Sequence, residues 1–243
     1  MTKMHVVMIA VAIVALAILL TPVSNFYLLA LVLGIFLFFG AMSLRIGAQF
    51  FLNSILTTSE GNVLLSFDDG PDPVNTPLIL DILKKHNVTS VFFLIGKKVK
   101  GNEVLVRRIH EEGHLLGSHS FSHAPTMGFW NREKTTADIG DGHAELLKII
   151  PQAGNLYRPP FGVTNPAIAY AIRKCGLQSV GWTVRSFDTI RKEPSEMLNR
   201  LKRSIKGSDI VLMHDTQPHT ISILDPLILE LKKRKLTLKA ELN

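Results

Sequence analysis

The chain has 243 residues, 47% of them apolar and 19% charged, with 27 Lys and Arg against 20 Asp and Glu and a single cysteine. So apolar a composition excludes a disordered chain, one cysteine excludes a disulfide-stapled mini-protein, and a net charge of +7 over this length calls for no nucleic acid. The average hides a division: the 41 residues between Lys3 and Arg45 hold no Asp, Glu, Lys or Arg, whereas residues 60–243 hold every acid and every other base.

A membrane-spanning helix needs roughly 20 apolar residues, so the uncharged front end predicts two spans, at about 4–22 and 26–44, turning at 21–25. Gly34 and Gly40 suit close helix packing there. A signal peptide with Val6 to Leu20 as its apolar core is the alternative. No small-x-small cleavage site follows and a second apolar stretch does, so a retained transmembrane hairpin over residues 1–45 is expected, in contact with membrane lipids. Residues 46–60, with Gln49-Phe50-Phe51-Leu52 and Ile55-Leu56, are expected to form an interfacial linker. Lys3 and Arg45 flank the hairpin and its turn is uncharged, which by the positive-inside rule favours both ends in the cytoplasm; cell-wall chemistry would need the domain outside.

From residue 61 to 243 short β-rich runs alternate with stretches of helical period. Strands are predicted at 63–67, 90–95, 115–117, 156–159, 178–184, 209–213 and 236–239. Helices are predicted at 76–87, 103–112, 132–149, 166–175, 194–205 and 221–234. Seven strands separated by helices imply parallel crossover units, wound as a doubly wound sheet or a barrel. In both architectures the site lies beyond the carboxyl ends of the strands.

Those ends carry unusual polar residues. The first strand runs into Asp68-Asp69-Gly70-Pro71, the third into His119-Ser120-Phe121-Ser122-His123, the fourth into Arg158-Pro159-Pro160-Phe161-Gly162. The fifth leads to Trp182 and Asp188, and the sixth ends at His214. Histidines at i and i+4 share one face of a helical turn and can hold one metal ion, and one carboxylate from Asp68-Asp69 completes a two-histidine, one-carboxylate set with open positions for water and substrate. Adjacent acids repel unless a cation lies beside them, which argues for a metal; a solvated turn is the alternative for Asp-Asp-Gly-Pro. The second carboxylate is then free to take a proton from water, Arg158 can hold it ionised, and His214 can protonate a leaving group. That set describes metal-assisted hydrolysis of an amide or ester.

These residues resemble the NodB-homology polysaccharide deacetylases, carbohydrate esterase family four, over essentially 62–243. Ser66-Phe67-Asp68-Asp69-Gly70-Pro71, His119-Ser120-Phe121-Ser122-His123, Arg158-Pro159-Pro160-Phe161-Gly162 and Val211-Leu212-Met213-His214 stand in the family's order. The resemblance implies a distorted (β/α)7-type barrel that removes an N-linked acyl group, typically acetyl, from an amino sugar in a cell-surface polysaccharide, peptidoglycan or lipid-linked glycan. It implies Asp68 as base, Asp69, His119 and His123 as ligands of a divalent metal, Zn²⁺ before Co²⁺ or another ion, Arg158 as tether of the base and His214 as acid. The Phe161 N–H is implied as oxyanion donor, Asp188 as an orienting carboxylate, and Pro160, Trp182, Val211 and Met213 as walls of the substrate pocket.

The chain departs from the family pattern at Phe161, where Tyr is commoner, at Val211 and Met213, where leucines are expected, and at Asp188-Thr189, where the family has Asp-Trp. His114 is expected to be a local hydrogen-bonding residue and Trp182 either core or sugar wall. A binding relative without activity and a deacylase of a non-carbohydrate amide are the competing functions; neither nucleic acid nor an obligate protein partner is expected.

Overall fold

The computed structural model describes residues 3–19, 25–190 and 193–242. Seven strands, β1 (Leu64–Gly70), β2 (Val91–Leu94), β3 (Leu115–Ser118), β4 (Leu156–Tyr157), β5 (Gln178–Ser179), β6 (Val184–Arg185) and β7 (Ile210–His214), form one sheet in the order β5-β4-β3-β2-β1-β7-β6. Every pairing in it is parallel. The crossovers are α3 (Asn75–Lys85), α4 (Gly96–Val99) with α5 (Glu103–Glu111), α6 (Arg132–Ile149), α7 (Pro166–Lys174) and α8 (Pro194–Ser204), and α9 (Pro218–Lys233) follows β7. Local chemistry starts two of them: the side chain of Asn131 accepts the Lys134 N–H at 2.9 Å and that of Asn165 the Ile168 N–H at 2.8 Å, and Pro166 opens α7.

The alternation of strand side chains divides two cores. Leu65, Phe67, Phe92, Leu116, Val211 and Met213 face outward into a cluster shared with the helices, which contribute Leu83, Ile109, Leu201 and Leu227 among others. Leu64, Val91, Phe93, Leu156, Val180 and Ile210 face inward and fill the barrel. The polar members of the inward rows, Ser66, Asp68 and His214, therefore gather at one end of the barrel.

Two predicted strands come out differently. The stretch 178–184 is two strands, β5 and β6, on opposite edges of the sheet. Residues 180–183 alone connect them, a reach of about 17 Å at full extension, so the sheet must curl until its edges nearly meet. The gap is closed from outside the sheet: the Ile55 N–H donates to Ser179 O and the Gly181 N–H to Ile55 O, both at 2.8 Å, and the Thr58 N–H donates to Ser208 O at 3.0 Å. The run 236–239 contributes only an isolated bridge between Asn62 and Thr237.

Segment 46–60 is thus more than a linker, since Ile46, Phe50 and Phe51 are buried as well. Ahead of it stand α1 (Lys3–Leu19) and α2 (Asn25–Ser43). α2 holds an 18-residue stretch, Phe26–Ser43, with mean hydropathy 2.3 and no part buried, long and apolar enough to cross a membrane; the apolar part of α1, Val6–Leu16, is shorter. Residues 21–24 of the expected turn lie outside the described residues.

Candidate active site

Asp68 and Asp69 lie near the end of β1, where Asp69 takes φ 75°; both carboxylates face His119, whose Nε2 is 3.8 Å from Asp68 Oδ2. Asp69 Oδ1 lies 3.5 Å from His119 Nε2 and 3.2 Å from His123 Nε2. This oxygen is buried and has no hydrogen-bond partner among the described residues. One ligand atom from each of the three residues falls within 4.8 Å of the others. His119 Nδ1 lies 2.8 Å from the Arg158 carbonyl; donating a proton there leaves Nε2 with its lone pair facing Asp69. Burial depresses the His119 pKa to about 3, so the ring stays neutral, and it lowers that of His123 too. An orphaned buried carboxylate oxygen facing two neutral imidazoles is the donor set a divalent cation satisfies.

The two histidines converge for a reason other than helical spacing. Residues 119–123 form an irregular loop in which Ser120 (φ 64°) and His123 (φ 51°) are left-handed and the Ser120 hydroxyl accepts the His123 N–H at 2.9 Å. Asp138 of α6 pins the loop by accepting the Phe121 and Ser122 N–H groups at 3.2 and 3.1 Å. Gly142 lets α6 come that close, since a Cβ there would stand 2.4 Å from the Ser120 carbonyl carbon.

Asp68 receives a hydrogen bond from Arg158 Nη1 at 2.7 Å. Arg158 is fully buried, and its guanidinium also donates to Ser66 Oγ and to the carbonyls of Val180 and Gly181, while it stacks 4.1 Å from the centroid of Phe93. Burial raises the Asp68 pKa above the ordinary carboxylate value, and Arg158, then His214, offset part of that rise.

Across the cavity His214 Nδ1 lies 2.7 Å from Asp188 Oδ1, and the other Asp188 oxygen accepts the His214 N–H and the Thr220 hydroxyl, each at 2.7 Å. Burial alone would lower the His214 pKa, but the Asp188 hydrogen bond and charge reverse the sign and raise it. Asp188 is correspondingly lowered: burial opposes its ionisation and the His214 bond prevails. Asp188 therefore pairs with His214 and makes no bond to Arg158.

Phe161 (φ 58°) forms the opposite rim, its ring centroid 4.7 Å from that of His123. Gly162 follows it, and a Cβ at that glycine would meet the Trp182 indole at 2.5 Å. Five of the nine non-glycine residues with positive φ among the described residues, Asp69, Ser120, His123, Phe161 and Phe187, stand in or beside this site, a concentration of backbone strain typical of functional loops.

The cavity between these groups has a volume of about 170 Å³ and is lined by Asp68, Asp69, His119, His123, Phe161 and His214 with Gly162, Trp182, Arg185, Thr189 and Leu212. Three of the four expected walls lie elsewhere. Val211 and Met213 point into the outer core; with period-2 alternation, the inward residue beside His214 is Leu212. Pro160 lines a separate, larger apolar cavity. Of the two readings left open for Trp182, the structure places it on the cavity lining, and Thr189 lines the cavity where the resemblance leads one to expect an indole. Arg185 was not foreseen, although it ends a strand. His114 sits at the far end of β3, where its Nδ1 accepts the Ser90 N–H at 3.1 Å, away from the site.

Comparison with known proteins agrees with this architecture. Residues 56–180 match the polysaccharide deacetylase family. The chain is 33% identical over 181 residues to a peptidoglycan-N-acetylglucosamine deacetylase of Bacillus cereus, covering 72% of this chain and 84% of that one. It is 33% identical over 187 residues to the peptidoglycan-N-acetylmuramic acid deacetylase PdaA of Bacillus subtilis, covering 75% and 71%. Among solved structures, a family 4 carbohydrate esterase from Streptomyces lividans in complex with acetate superposes with a TM-score of 0.68 at 26% identity, over 74% of this chain and 92% of that one. A CE4 family pseudoenzyme from Bacillus anthracis gives 0.71 at 28%, over 77% and 66%. The chain belongs to the polysaccharide deacetylase family, the NodB-homology family-four carbohydrate esterases, which are metal-dependent deacetylases.

Proposed function

We propose that this chain is a zinc-dependent deacetylase that removes the N-acetyl group from an amino sugar of peptidoglycan or of a lipid-linked glycan precursor, held at the membrane by a hairpin of α1 and α2. The observation that carries the reading is the buried, unpartnered Asp69 oxygen facing the Nε2 atoms of His119 and His123, with the Asp68–Arg158 and His214–Asp188 pairs on either side. The names of the relatives, deacetylases of N-acetylglucosamine and N-acetylmuramic acid in peptidoglycan, support the substrate class.

Asp69, His119 and His123 would hold the ion, which when bound polarises the acyl carbonyl and acidifies water. Asp68 accepts the proton of the attacking water. Its raised pKa brings it nearer the working pH, and Arg158 fixes its orientation and keeps it ionised. The Phe161 N–H, presented by a left-handed residue on the rim, donates to the oxygen that gains charge. His214 donates a proton to the departing amine nitrogen while Asp188 stabilises its charged form. Water and the amide thus give acetate and a free amino sugar. The domain boundaries of this reading are a hairpin at 1–45, a connecting segment at 46–60 and a catalytic domain at 61–243.

Acetate release by the zinc-loaded full chain tests the assignment. Asp68→Asn is expected to lower turnover by about 10²–10⁴-fold and keep its zinc, whereas His119→Ala loses both; an Asp68→Asn enzyme of unchanged rate sinks it.

A further inference from the structure

A second cavity, of about 890 Å³, adjoins the catalytic one and shares Phe161 with it. One wall is the membrane-type helix, through Phe39, Gly40 and Leu44; the other is the catalytic domain, through Met127, Phe129 and Phe161. The two walls are joined, because Ser43 at the end of α2 accepts the Thr164 N–H at 2.8 Å, three residues beyond Phe161. Phe129 is 93% exposed and Phe161 56% exposed, so the rim between the cavities is aromatic and open.

The catalytic cavity, at about 170 Å³, is much the smaller of the two. Phe161 lies on the boundary of both cavities, so a sugar held by its N-acetyl group in the smaller one can extend over Phe161 into the larger. The lining beyond Phe161 is almost wholly aliphatic and aromatic. A glycan strand there would leave hydroxyls without partners, whereas a hydrocarbon chain loses nothing. The groove also runs along α2, whose apolar surface would stand in the bilayer. From these observations, and resting on the deacetylase reading above, we infer that the substrate is a lipid-linked amino sugar whose hydrocarbon chain occupies this groove while its N-acetyl group enters the catalytic cavity.

The test uses the zinc-loaded full chain in nanodiscs with methyl and octyl N-acetylglucosaminides, beside a Gly40→Trp variant. A Cβ at Gly40, which lines the groove, meets nothing within 4 Å, so the backbone there accepts a side chain, and zinc content checks that the variant is folded. Two methylenes buried from water supply about tenfold, so kcat/KM for octyl over methyl is expected to exceed about tenfold in the native chain and to fall towards parity in Gly40→Trp. A diazirine-bearing octyl N-acetylglucosaminide is expected to label α2 near Phe39 and Leu44 and the 127–129 turn in the native chain and not in the variant. An octyl preference equal in both proteins, or labelling outside the groove, overturns the inference, since partition into the bilayer then accounts for it. Release from neither glycoside by the native chain sinks the deacetylase reading instead, and the labelling pattern still decides for or against the groove.

Discussion

Asp68 and Asp69 are chemically identical neighbours that their surroundings make different. A buried guanidinium donates to Asp68, while Asp69 is turned by a left-handed backbone towards two imidazoles. Their adjacency is legible in the sequence as a reason to expect a cation; the division of labour is what the resemblance implies, and their different neighbours support proposing it. The Asp188–His214 pair makes a prediction that can be read in a pH profile. Protonated His214 is the form that donates, and Asp188 raises its pKa, so activity should persist above the ordinary histidine value of about 6.5 and be lost as pH rises through the elevated pKa. Without the Asp188 bond and charge, burial, the largest influence, lowers it against the smaller pull of Asp68 and Asp69. Asp188→Asn should therefore move the alkaline limb of kcat/KM to lower pH; an unmoved limb would show that His214 is not the acid.

The elements show where period-2 reasoning was available and unused. β7 places Leu212 and His214 on the barrel side and Val211 and Met213 on the helix side. Matching the run to a motif directed attention to 211 and 213, but alternation from His214 alone selects 212. The two faces should respond differently to truncation. Leu212→Ala enlarges the acyl pocket and should raise propionyl over acetyl release by about tenfold or more. Met213→Ala opens a cavity in the outer core and should cost about 2–5 kcal/mol of stability, measured by denaturation, with the acyl ratio unchanged. The 119–123 loop gives the opposite lesson. The i, i+4 spacing suggests a helical turn, yet the convergence is made by two left-handed residues and by Asp138 of α6, 17 residues beyond Phe121. The spacing that singles out His119 and His123 therefore does not describe the geometry that brings them together.

At the scale of the molecule, barrel closure decides what counts as the domain. The stretch 178–184 has the composition of one strand, and nothing local to it reports that its halves pair with β4 and β7 on opposite edges. The segment that fills the opening, around Ile55 to Thr58, makes backbone hydrogen bonds of 2.8–3.0 Å with Ser179, Gly181 and Ser208, and it covers inward residues such as Val180. A fragment starting at residue 60 removes these bonds and exposes Val180, so its melting temperature should lie several degrees below that of a fragment starting at residue 45, by about 2–4 °C for each kcal/mol lost. Equal melting temperatures would show the segment to be a passive connector.

By itself the sequence determined the alternating α/β class, the uncharged front end and the residues of the site, because hydrophobic period and the clustering of ionisable groups at strand ends are local properties of the chain. Only the tertiary structure decided which faces those residues present: the corrected acyl wall at Leu212, the pairing of Asp188 with His214, the entry of Arg185 into the cavity, and the apolar groove that α2 forms with the catalytic rim. Each of these depends on contacts between segments far apart in the chain, set by how far the sheet curls and by what then fills its opening.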